Sequence, residues 1–280
     1  MTAPGRLDGK VCVVAGASRG VGRGLALGLA EQGATVICSG RSTRFGGRTE
    51  GRRETVEDTA EAVQAAGGQG HPYACDHTDG KALHEFAAWV LRRHGPPDVV
   101  ACAVWGGNEG YDGTVYADGS SFGTPFWQRT LTPFDTAMRT GAYALLATAR
   151  AFAPLMIPNG AGLVAAVGFD SEGVYMGDVF YDIGKAGILR ASQIIAAELG
   201  PRGIATVHLT PGFVRTERVL DAGQGEQATQ TPLYTGRALA ALAADPAVTA
   251  KNGRSLFVAD LAQEYGFTDA DGTRPGRFDL

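Results

Sequence analysis

The stretch KVCVVAGASRGVGRGLALGLAEQ, residues 10–32, decides the fold. It begins with an apolar run over residues 10–15, turns through three glycines, and continues as a helical pattern over about residues 20–32. A second apolar run follows at residues 34–39. An apolar run, a helical pattern and another apolar run in this order predict a βαβ unit with two parallel strands.

The three glycines of the turn are suited to a nucleotide. Gly16 permits a tight turn out of the first strand, Gly20 lets the backbone approach a pyrophosphate, and Gly22 allows the helix to pack closely on the sheet. The first N–H groups of the helix would face that anion. The spacing is G-x-x-x-G-x-G, which is a weak signal alone. Its place between a strand and a helix favours dinucleotide binding.

Five further apolar runs continue the alternation of strands and helices. The predicted strands are residues 71–75, 98–103, 162–167, 204–209 and 255–258. This alternation predicts an α/β protein with a single Rossmann-type domain over residues 1–280, a doubly wound parallel sheet of about seven strands flanked by helices. Residues 41–53, rich in glycine and arginine, interrupt the pattern, and we expect a mobile connection there.

Composition excludes several classes of function. The chain has 280 residues, 44% of them hydrophobic, a net charge of −4 and a pI near 5.8. It therefore lacks the basic field that attracts nucleic acid, and a small-molecule substrate is favoured. Residues 1–10 contain no long apolar segment, and no run of about 18 apolar residues follows. These features predict a cytoplasmic protein with no membrane span.

The four cysteines do not indicate a metal site. Cys12, Cys38, Cys75 and Cys102 lie in or beside strand-like apolar runs and lack C-x-x-C spacing. Residues of this kind are usually reduced core side chains. We therefore predict four buried thiols and no metal ligands.

The residues after the second strand indicate which nucleotide binds. The sequence there is Cys38-Ser39-Gly40-Arg41, without an acidic residue, and Arg19 lies inside the glycine-rich turn. An acid would bind the ribose hydroxyl of NAD, whereas arginines suit the 2′-phosphate of NADP. NADP(H) is the predicted cofactor. The alternative is that both arginines are merely solvated.

A tyrosine and a lysine supply the predicted chemistry. Tyr181 and Lys185 have the spacing Y-x-x-x-K on a predicted helix, so they share one face of it. A nearby ammonium favours the phenolate, and we expect it to lower the tyrosine pKa toward neutrality. The tyrosine would then exchange a proton with a carbonyl or an alcohol while hydride moves to or from a nicotinamide.

Together these motifs resemble the short-chain dehydrogenase/reductase family from residue 9 to about residue 272. Asp76 follows the third strand, where such enzymes bind adenine, and residues 211–216, PGFVRT, match the family's P-G-x-x-x-T segment beside nicotinamide. Trp105-Gly106-Gly107 and residues 261–269 are similar to the branch that includes dehydrogenase/reductase member 1. The resemblance implies a homodimer or homotetramer packed through helices at about residues 133–156 and 179–199.

The resemblance also implies a set of cofactor-binding residues. They are Gly16, Ser18, Arg19, Gly20, Val21, Gly22, Arg41, Asp76, His77, Ala103, Lys185, Pro211, Gly212 and Thr216.

Three departures from the family pattern weaken the catalytic assignment. The family's serine, which orients the substrate oxygen, maps onto Gly168. The asparagine that helps to hold a proton-relay water maps onto Gly141. The usual N-N-A-G after strand four is replaced by Cys102-Ala103-Val104-Trp105. Loss of one preorganised donor lowers a rate by about 10²–10³.

A nearby hydroxyl is the first candidate to replace the serine. Ser171 lies three residues past Gly168 and is assigned as a third catalytic residue, provided that its loop bends inward; the alternative is a solvent-facing loop serine. Further candidates are Asp170, Tyr175 and Tyr143. For each the alternative is an ordinary structural role, as an exposed loop acid or as an aromatic packed in the core or on the lid.

Two irregular segments are predicted to enclose the substrate. Residues 105–131 and 215–232 both follow predicted strands, where open α/β sheets bind ligands, and we interpret them as a substrate loop and a lid. The alternative is disordered loop. The aromatic residues of the first segment suggest a sizeable, flat or apolar substrate, unless they cover a small core of the loop itself. They are Trp105, Tyr111, Tyr116, Phe122, Phe126 and Trp127.

Two functions remain open on the sequence. One is an NADP(H)-dependent oxidoreductase that interconverts a carbonyl and an alcohol on a small apolar or aromatic metabolite, a secondary metabolite being suitable. The other is a protein that keeps the fold and binds NADP(H) or a metabolite, but catalyses a non-redox step or only binds. Gly168 and Gly141 motivate the second. Substrate-dependent turnover of NADPH would separate the two.

Overall fold

A computed structural model describes residues 6–278. Residues 1–5 and 279–280, which the predicted domain includes, lie outside the described residues. Seven strands form one fully parallel sheet in the order β3-β2-β1-β4-β5-β6-β7. The strands are β1 Val11–Ala15, β2 Thr35–Gly40, β3 Gln69–Ala74, β4 Val99–Cys102, β5 Gly162–Val167, β6 Ile204–Thr210 and β7 Ser255–Phe257. The predicted doubly wound sheet is confirmed.

Helices cover both faces of the sheet. They are α1 Gly20–Ala30, α2 Val56–Ala65, α3 Gly80–His94, α4 Thr132–Met138, α5 Ala144–Met156, α6 Val179–Leu199, α7 Glu217–Asp221, α8 Pro232–Ala243 and α9 Val258–Tyr265. A π-helical turn, Arg139–Tyr143, joins α4 to α5. The side chains of α1, α2, α8 and α9 build the core on one face, and those of α3, α5 and α6 build it on the other.

The four cysteines are buried and unbridged, as predicted. Burial alone accounts for most of the rise in the pKa of the Cys102 thiol to about 11, so this thiol stays protonated at neutral pH.

One helical stretch, Thr132–Asn159, is long and apolar enough to cross a membrane by length and composition alone. Its most apolar window has a mean hydropathy of 1.2, and 44% of that window is buried inside the fold. Here α5 packs against α3, α6 and the sheet through Leu145, Ala149 and Phe152. This part of the stretch therefore contributes to the core of the domain.

The sheet order places the functional segments at one edge. Strand order reverses direction between β1 and β4, and ligands of open α/β sheets bind outside the carboxyl ends of the strands at such a switch point. The glycine-rich turn leaves β1 at this point, and residues 105–131 follow β4. Residues 41–53, expected to be a mobile connection, contribute Arg41, Ser42 and Arg52 to the wall of the cavity there.

Candidate active site

A cavity of about 880 Å³ runs along the carboxyl edge of the sheet. It is lined by Tyr181 and Lys185 together with every predicted cofactor-binding residue. These are Gly16, Ser18, Arg19, Gly20, Val21, Gly22, Arg41, Asp76, His77, Ala103, Pro211, Gly212 and Thr216, with Lys185 itself. The fold therefore brings the sequence-predicted residues into one space, although they come from widely separated parts of the chain.

The glycine-rich turn fits tightly between β1 and α1. Gly16 has φ +78°, and a Cβ there would lie 2.9 Å from Val104 N, so both conformation and space require glycine. A Cβ on Gly22 would overlap the Gly16 carbonyl oxygen. The turn and the first residues of α1 thus form a bare backbone surface facing the cavity.

A carboxylate from the lid rests on this surface. Glu217, the first residue of α7, accepts a hydrogen bond from the Gly20 N–H at 2.8 Å through Oε2. The next residue, Arg218, donates to the carbonyl oxygens of Asn108 at 3.0 Å and Tyr111 at 3.1 Å. Residues 215–232 are therefore an ordered wall that joins the substrate loop to the start of α1.

The two arginines predicted to select the nucleotide have acidic neighbours. Arg41 directly follows β2 and pairs with Glu109 of the substrate loop. Arg19 lies 4.0 Å from Glu50. Burial, with the nearby Arg52 guanidinium second, lowers the pKa of Arg19. The part of the cavity beside β2 therefore holds positive charge balanced by carboxylates.

His77 lines the cavity but its ring is fully engaged. Nε2 is 2.9 Å from Ser39 Oγ, and Nδ1 is 2.9 Å from Thr148 Oγ1. Burial lowers the pKa of His77 to about 4, so the imidazole is neutral and holds β2 to α5. Only its backbone is free to contact a ligand.

Helix α6 presents the tyrosine and the lysine to the cavity. Asp178 caps it, and Oδ1 accepts hydrogen bonds from the N–H groups of Phe180 at 3.0 Å and Tyr181 at 2.9 Å. The indole of Trp105 packs against both residues: its ring lies at 5.7 Å from that of Tyr181 between centroids, and Lys185 Nζ lies 3.7 Å from its centroid. Lys185 Nζ also lies 5.4 Å from the centroid of the Tyr181 ring, so the predicted pair shares an aromatic neighbour.

The expected effect of Lys185 on Tyr181 is wrong for this structure. Burial raises the pKa of Tyr181, with Asp182 and Tyr116 adding to the rise. Burial also lowers the pKa of Lys185 to about 7. Desolvation disfavours the charged form of both groups, and at these positions it outweighs their mutual attraction. The phenol is therefore neutral at physiological pH.

Gly168, at the end of β5, faces a histidine that the sequence reasoning missed. A Cβ on Gly168 would overlap Nε2 of His208 and lie 3.2 Å from both ring carbons beside it. His208 belongs to β6 and is wholly buried. A histidine within the apolar run IATVHLT was a usable signal, but only the β5–β6 register, which pairs Ala166 with His208, brings it to Gly168.

Ser171 lies outside the main cavity. It lines a smaller neighbouring cavity of about 230 Å³ together with Asp170, and neither residue lines the space that contains Tyr181. The other two candidates, Tyr175 and Tyr143, are 64% and 47% exposed. The backbone after Gly168 thus carries this serine away from the tyrosine.

Gly141 lies in the π-helical turn, a feature common at functional sites. A Cβ there would lie 3.3 Å from Trp105 Cζ3 and 3.3 Å from Ile188 Cδ1. The indole that covers Lys185 therefore also packs on Gly141. Gly168 and Gly141, which stand where the family has a serine and an asparagine, thus each leave space for a large side chain from another element.

The substrate loop divides into two parts. Trp105, Tyr111 and Phe122 line the cavity, whereas Tyr116 is 4% exposed and packs inside the loop. Phe126 and Trp127, predicted for the pocket wall, are 58% and 71% exposed and do not line the cavity. The alternative for these six aromatics was that they cover a small core of the loop itself. Tyr116 is the one that packs in this way.

A buried ion pair fastens this loop to α6. The Arg129 guanidinium donates to the Asp178 carboxylate, and both side chains are at most 1% exposed. Arg129 Cζ also lies 4.8 Å from the Tyr116 ring centroid and 4.5 Å from that of Phe180. The aspartate that caps α6 therefore also anchors the end of the loop.

Comparisons with known proteins identify the family to which this chain is similar. A family model described as enoyl-(acyl carrier protein) reductase matches residues 16–247. Dehydrogenase/reductase SDR family member 1 of Homo sapiens is 32% identical over 288 aligned positions, which cover 97% of this chain and 86% of that protein. The Mus musculus protein of the same name is 33% identical with the same coverage.

Solved structures give the same fold. A short chain dehydrogenase from Mycobacterium thermoresistibile matches with a TM-score of 0.78, covering 98% of this chain and 95% of that chain at 24% identity. At this identity the likeness establishes architecture alone.

Proposed function

Since the chain belongs to the short-chain dehydrogenase/reductase family of oxidoreductases, we propose that it is an NADP(H)-dependent enzyme. In this proposal it interconverts a carbonyl and an alcohol on a small apolar or aromatic metabolite, with Tyr181 as acid/base and Lys185 as its electrostatic partner. One observation carries the proposal: the glycine-rich turn, the Tyr181–Lys185 pair and Pro211, Gly212 and Thr216 line a single cavity. Groups for binding a nucleotide and for moving a proton share one space.

The residues at the start of α1 fit a nicotinamide nucleotide. Gly16 and Gly22 leave a backbone surface that any side chain would fill. The Gly20 N–H already donates a hydrogen bond to a carboxylate oxygen, so the same N–H can donate to an anionic oxygen of a ligand. When bound, the cofactor would supply or accept hydride.

The charges near β2 support NADP(H) over NAD(H). No carboxylate closes β2, and Arg41 follows its last residue, Gly40. Arg41 and Arg19 would bind the 2′-phosphate, because guanidinium groups match phosphate in charge and geometry. Glu109 and Glu50, which neighbour these arginines in the structure, would give way to the phosphate.

The protonation state of Tyr181 favours one direction of reaction. Since burial raises the pKa of its phenol, Tyr181 keeps its proton at neutral pH. A neutral phenol can donate a proton to a carbonyl oxygen. Lys185, when charged, would stabilise the phenolate that remains. The neutral phenol is thus the form that carbonyl reduction requires at its start.

The wall of the cavity supports an apolar or aromatic substrate. Trp105, Tyr111 and Phe122 enter it from the substrate loop, and Phe169 and Phe213 from the loops after β5 and β6. Aromatic walls of this kind bind flat or apolar molecules, and polar groups then fix their orientation.

Nucleotide binding is the first test. Calorimetry would compare NADPH and NADH binding to the wild type, to Arg41→Ala, and to Arg53→Ala as the matched control. Arg53 is 88% exposed and does not line the cavity. We expect the wild type to prefer NADPH, Arg41→Ala to lose roughly tenfold or more of that preference, and Arg53→Ala to retain it. Equal preference in all three proteins would contradict the assignment of Arg41.

Turnover is the second test. NADPH absorbance would be followed with a panel of aromatic ketones and quinones, with Tyr181→Phe as control. We expect turnover in the wild type and its loss in Tyr181→Phe, with NADPH binding unchanged. The non-redox alternative is favoured by one observation, the absence of a side-chain hydroxyl at Gly168. Tight NADPH binding without turnover of any carbonyl would support that alternative.

A further inference from the structure

A buried histidine beside the catalytic end of the cavity has one nitrogen without a partner. His208 lies in β6 and is wholly buried. Among the described residues, its Nε2 makes no hydrogen bond. A buried polar atom left unpaired destabilises the folded protein, so such an atom calls for a ligand or a function.

The unpaired nitrogen points to the position where a side chain on Gly168 would begin. A Cβ built on Gly168 would overlap His208 Nε2. No residue other than glycine therefore fits at position 168 while the imidazole is in place. Gly168 itself lines the cavity together with Tyr181 and Lys185. The imidazole occupies the path by which a serine side chain at this position would enter the site.

The other ring nitrogen is held by two hydroxyls. His208 Nδ1 is 3.1 Å from Ser255 Oγ and 3.3 Å from Thr210 Oγ1. Burial lowers the pKa of His208 to about 4, and the nearby charges of Asp170 and Lys185 act on it in opposite senses. The ring is therefore neutral and carries one proton. If Nδ1 accepts from a hydroxyl, that proton is on Nε2.

We propose that His208 donates, through Nε2–H, the hydrogen bond to the reacting oxygen that a serine donates elsewhere in the family. The absence of a side chain at Gly168 then leaves room for the imidazole. His208 itself does not line the cavity in this structure, so a carbonyl oxygen would have to enter the space beside Gly168 to give Nε2 the partner that it lacks. The inference rests on the proposed function, because the oxygen is that of the carbonyl which Tyr181 protonates. It also accounts for how the enzyme works without the serine.

Two substitutions at position 208 separate the two ring nitrogens. His208→Asn keeps a polar group near Nδ1 and removes the group at Nε2, whereas His208→Gln keeps an N–H donor near Nε2. We expect kcat for carbonyl reduction to fall by about 10²–10³ in His208→Asn, the usual effect of losing one such donor. We expect His208→Gln to stay within about tenfold of the wild type. NADPH affinity should be unchanged in both.

A paired substitution tests the exchange with Gly168. Gly168→Ser alone should lose activity and stability, because its Cβ would overlap the imidazole. Gly168→Ser combined with His208→Ala should regain both, because the hydroxyl then enters the space that the ring leaves. A double variant as inactive as Gly168→Ser, with restored thermal stability, would overturn the proposal.

A measurement on the unaltered protein keeps the inference testable if variants fail to fold or no substrate is found. The ¹⁵N resonances of histidine report which ring nitrogen carries the proton. We expect His208 in the NADPH complex to be the Nε2–H tautomer at pH 7. Finding the proton on Nδ1 would exclude Nε2 as donor, whatever the turnover. Absence of turnover with the Nε2–H tautomer present would instead count against the proposed reductase.

Discussion

Lys185 sets the charge at the end of the cavity where Tyr181 lies. Its Nζ lies 3.7 Å from the centroid of the Trp105 ring and 5.4 Å from that of Tyr181, and burial lowers its pKa to about 7. An ammonium over an aromatic face is stabilised by the ring quadrupole, but desolvation outweighs that gain here. Near neutral pH, small changes in the surroundings therefore decide whether this lysine is charged.

Binding of an anionic nucleotide should therefore take up protons. Negative charge nearby favours the ammonium and raises the pKa of Lys185 above about 7. At pH 8 the free protein holds Lys185 mostly neutral, and the complex should hold it charged. At pH 5.5 both forms are charged, and uptake by this group should vanish. Calorimetry of NADPH binding in buffers of different ionisation enthalpy measures the proton count.

Lys185→Met is the control for this prediction. It should bind NADPH more weakly and without the pH 8 uptake that the wild type shows. Uptake of the same size in Lys185→Met would assign the proton to another group and contradict the low pKa of Lys185.

At the residue scale, the sequence identified Tyr181, Lys185 and the glycines because each belongs to a local motif. It missed His208 because that residue meets Gly168 only across two neighbouring strands. It also gave the wrong direction for the pKa of Tyr181, because desolvation depends on the whole surrounding fold and not on the spacing to Lys185. Local motifs predict which groups act, and packing determines their protonation.

At the element scale, α7 places a carboxylate where the proposed nucleotide would bind. Glu217 on this helix accepts a hydrogen bond from the Gly20 N–H, which faces the site of the proposed pyrophosphate. The start of α1 favours any anion, so a bound phosphate would have to displace the Glu217 carboxylate from it. Glu217→Gln should therefore bind NADPH roughly tenfold more tightly, because the lost charge-assisted hydrogen bond no longer opposes the ligand.

A second glutamate in the same segment provides the control for Glu217→Gln. Glu226 is exposed in the same lid segment and does not line the cavity. Glu226→Gln changes the net charge equally and should leave NADPH affinity within about twofold of the wild type. If both variants bind equally tightly, the gain reflects net charge and not displacement of Glu217.

The ion pair between the substrate loop and α6 should matter for folding. Arg129→Leu leaves Asp178 buried without its partner, because both side chains are at most 1% exposed. We expect the free energy of unfolding to fall by about 3–5 kcal/mol. Urea denaturation of Arg129→Leu and the wild type measures the difference. Activity should also fall, since Asp178 caps the helix that carries Tyr181.

An exposed pair serves as the reference for this buried one. Lys81 and Glu85 are 4.0 Å apart, with side chains 86% and 61% exposed. Lys81→Leu should change the free energy of unfolding by less than about 1 kcal/mol. An equal loss in Arg129→Leu and Lys81→Leu would show that the Arg129–Asp178 pair adds no more than a surface contact.

The seven strands and α1 were predictable to within two residues, because apolar runs and periodicity mark them. The short helix α7 and the π-helical turn Arg139–Tyr143 were not. Neither is long enough to be stable alone, and each depends on contacts with distant residues. The sequence could therefore mark residues 215–232 as a lid but not show that Glu217 would reach Gly20.

For the whole molecule, the alternation of strands and helices determined the sheet and the edge at which the site lies. The division of residues 105–131 between cavity wall and exposed surface could not be foreseen. Aromatic composition is the same whether a ring lines the cavity, like Phe122, or is exposed outside it, like Trp127. Only the path of the loop, held by Arg129 and Asp178, decides between the two.

The exposed faces of α5 and α6 support the proposal that the protein assembles into a homodimer or homotetramer. Leu146 on α5 is 54% exposed, and Ile183 and Ile194, about three turns apart on one face of α6, are 45% and 46% exposed. Large apolar side chains grouped on neighbouring helices are typical of a surface that a partner covers. We expect sedimentation velocity to give a mass of at least twice 29.1 kDa.

Leu146→Glu should shift that mass toward the monomer, because a partner would bury the introduced charge without compensation. Leu91→Glu is the matched control, since Leu91 is a 43% exposed leucine on α3, outside this face. It should leave the assembly intact. Dissociation by both variants would indicate general destabilisation, and dissociation by Leu91→Glu alone would move the interface to α3. A wild type that sediments as a monomer at micromolar concentration would exclude the assembly altogether, and α5 and α6 would then carry their apolar faces in solvent.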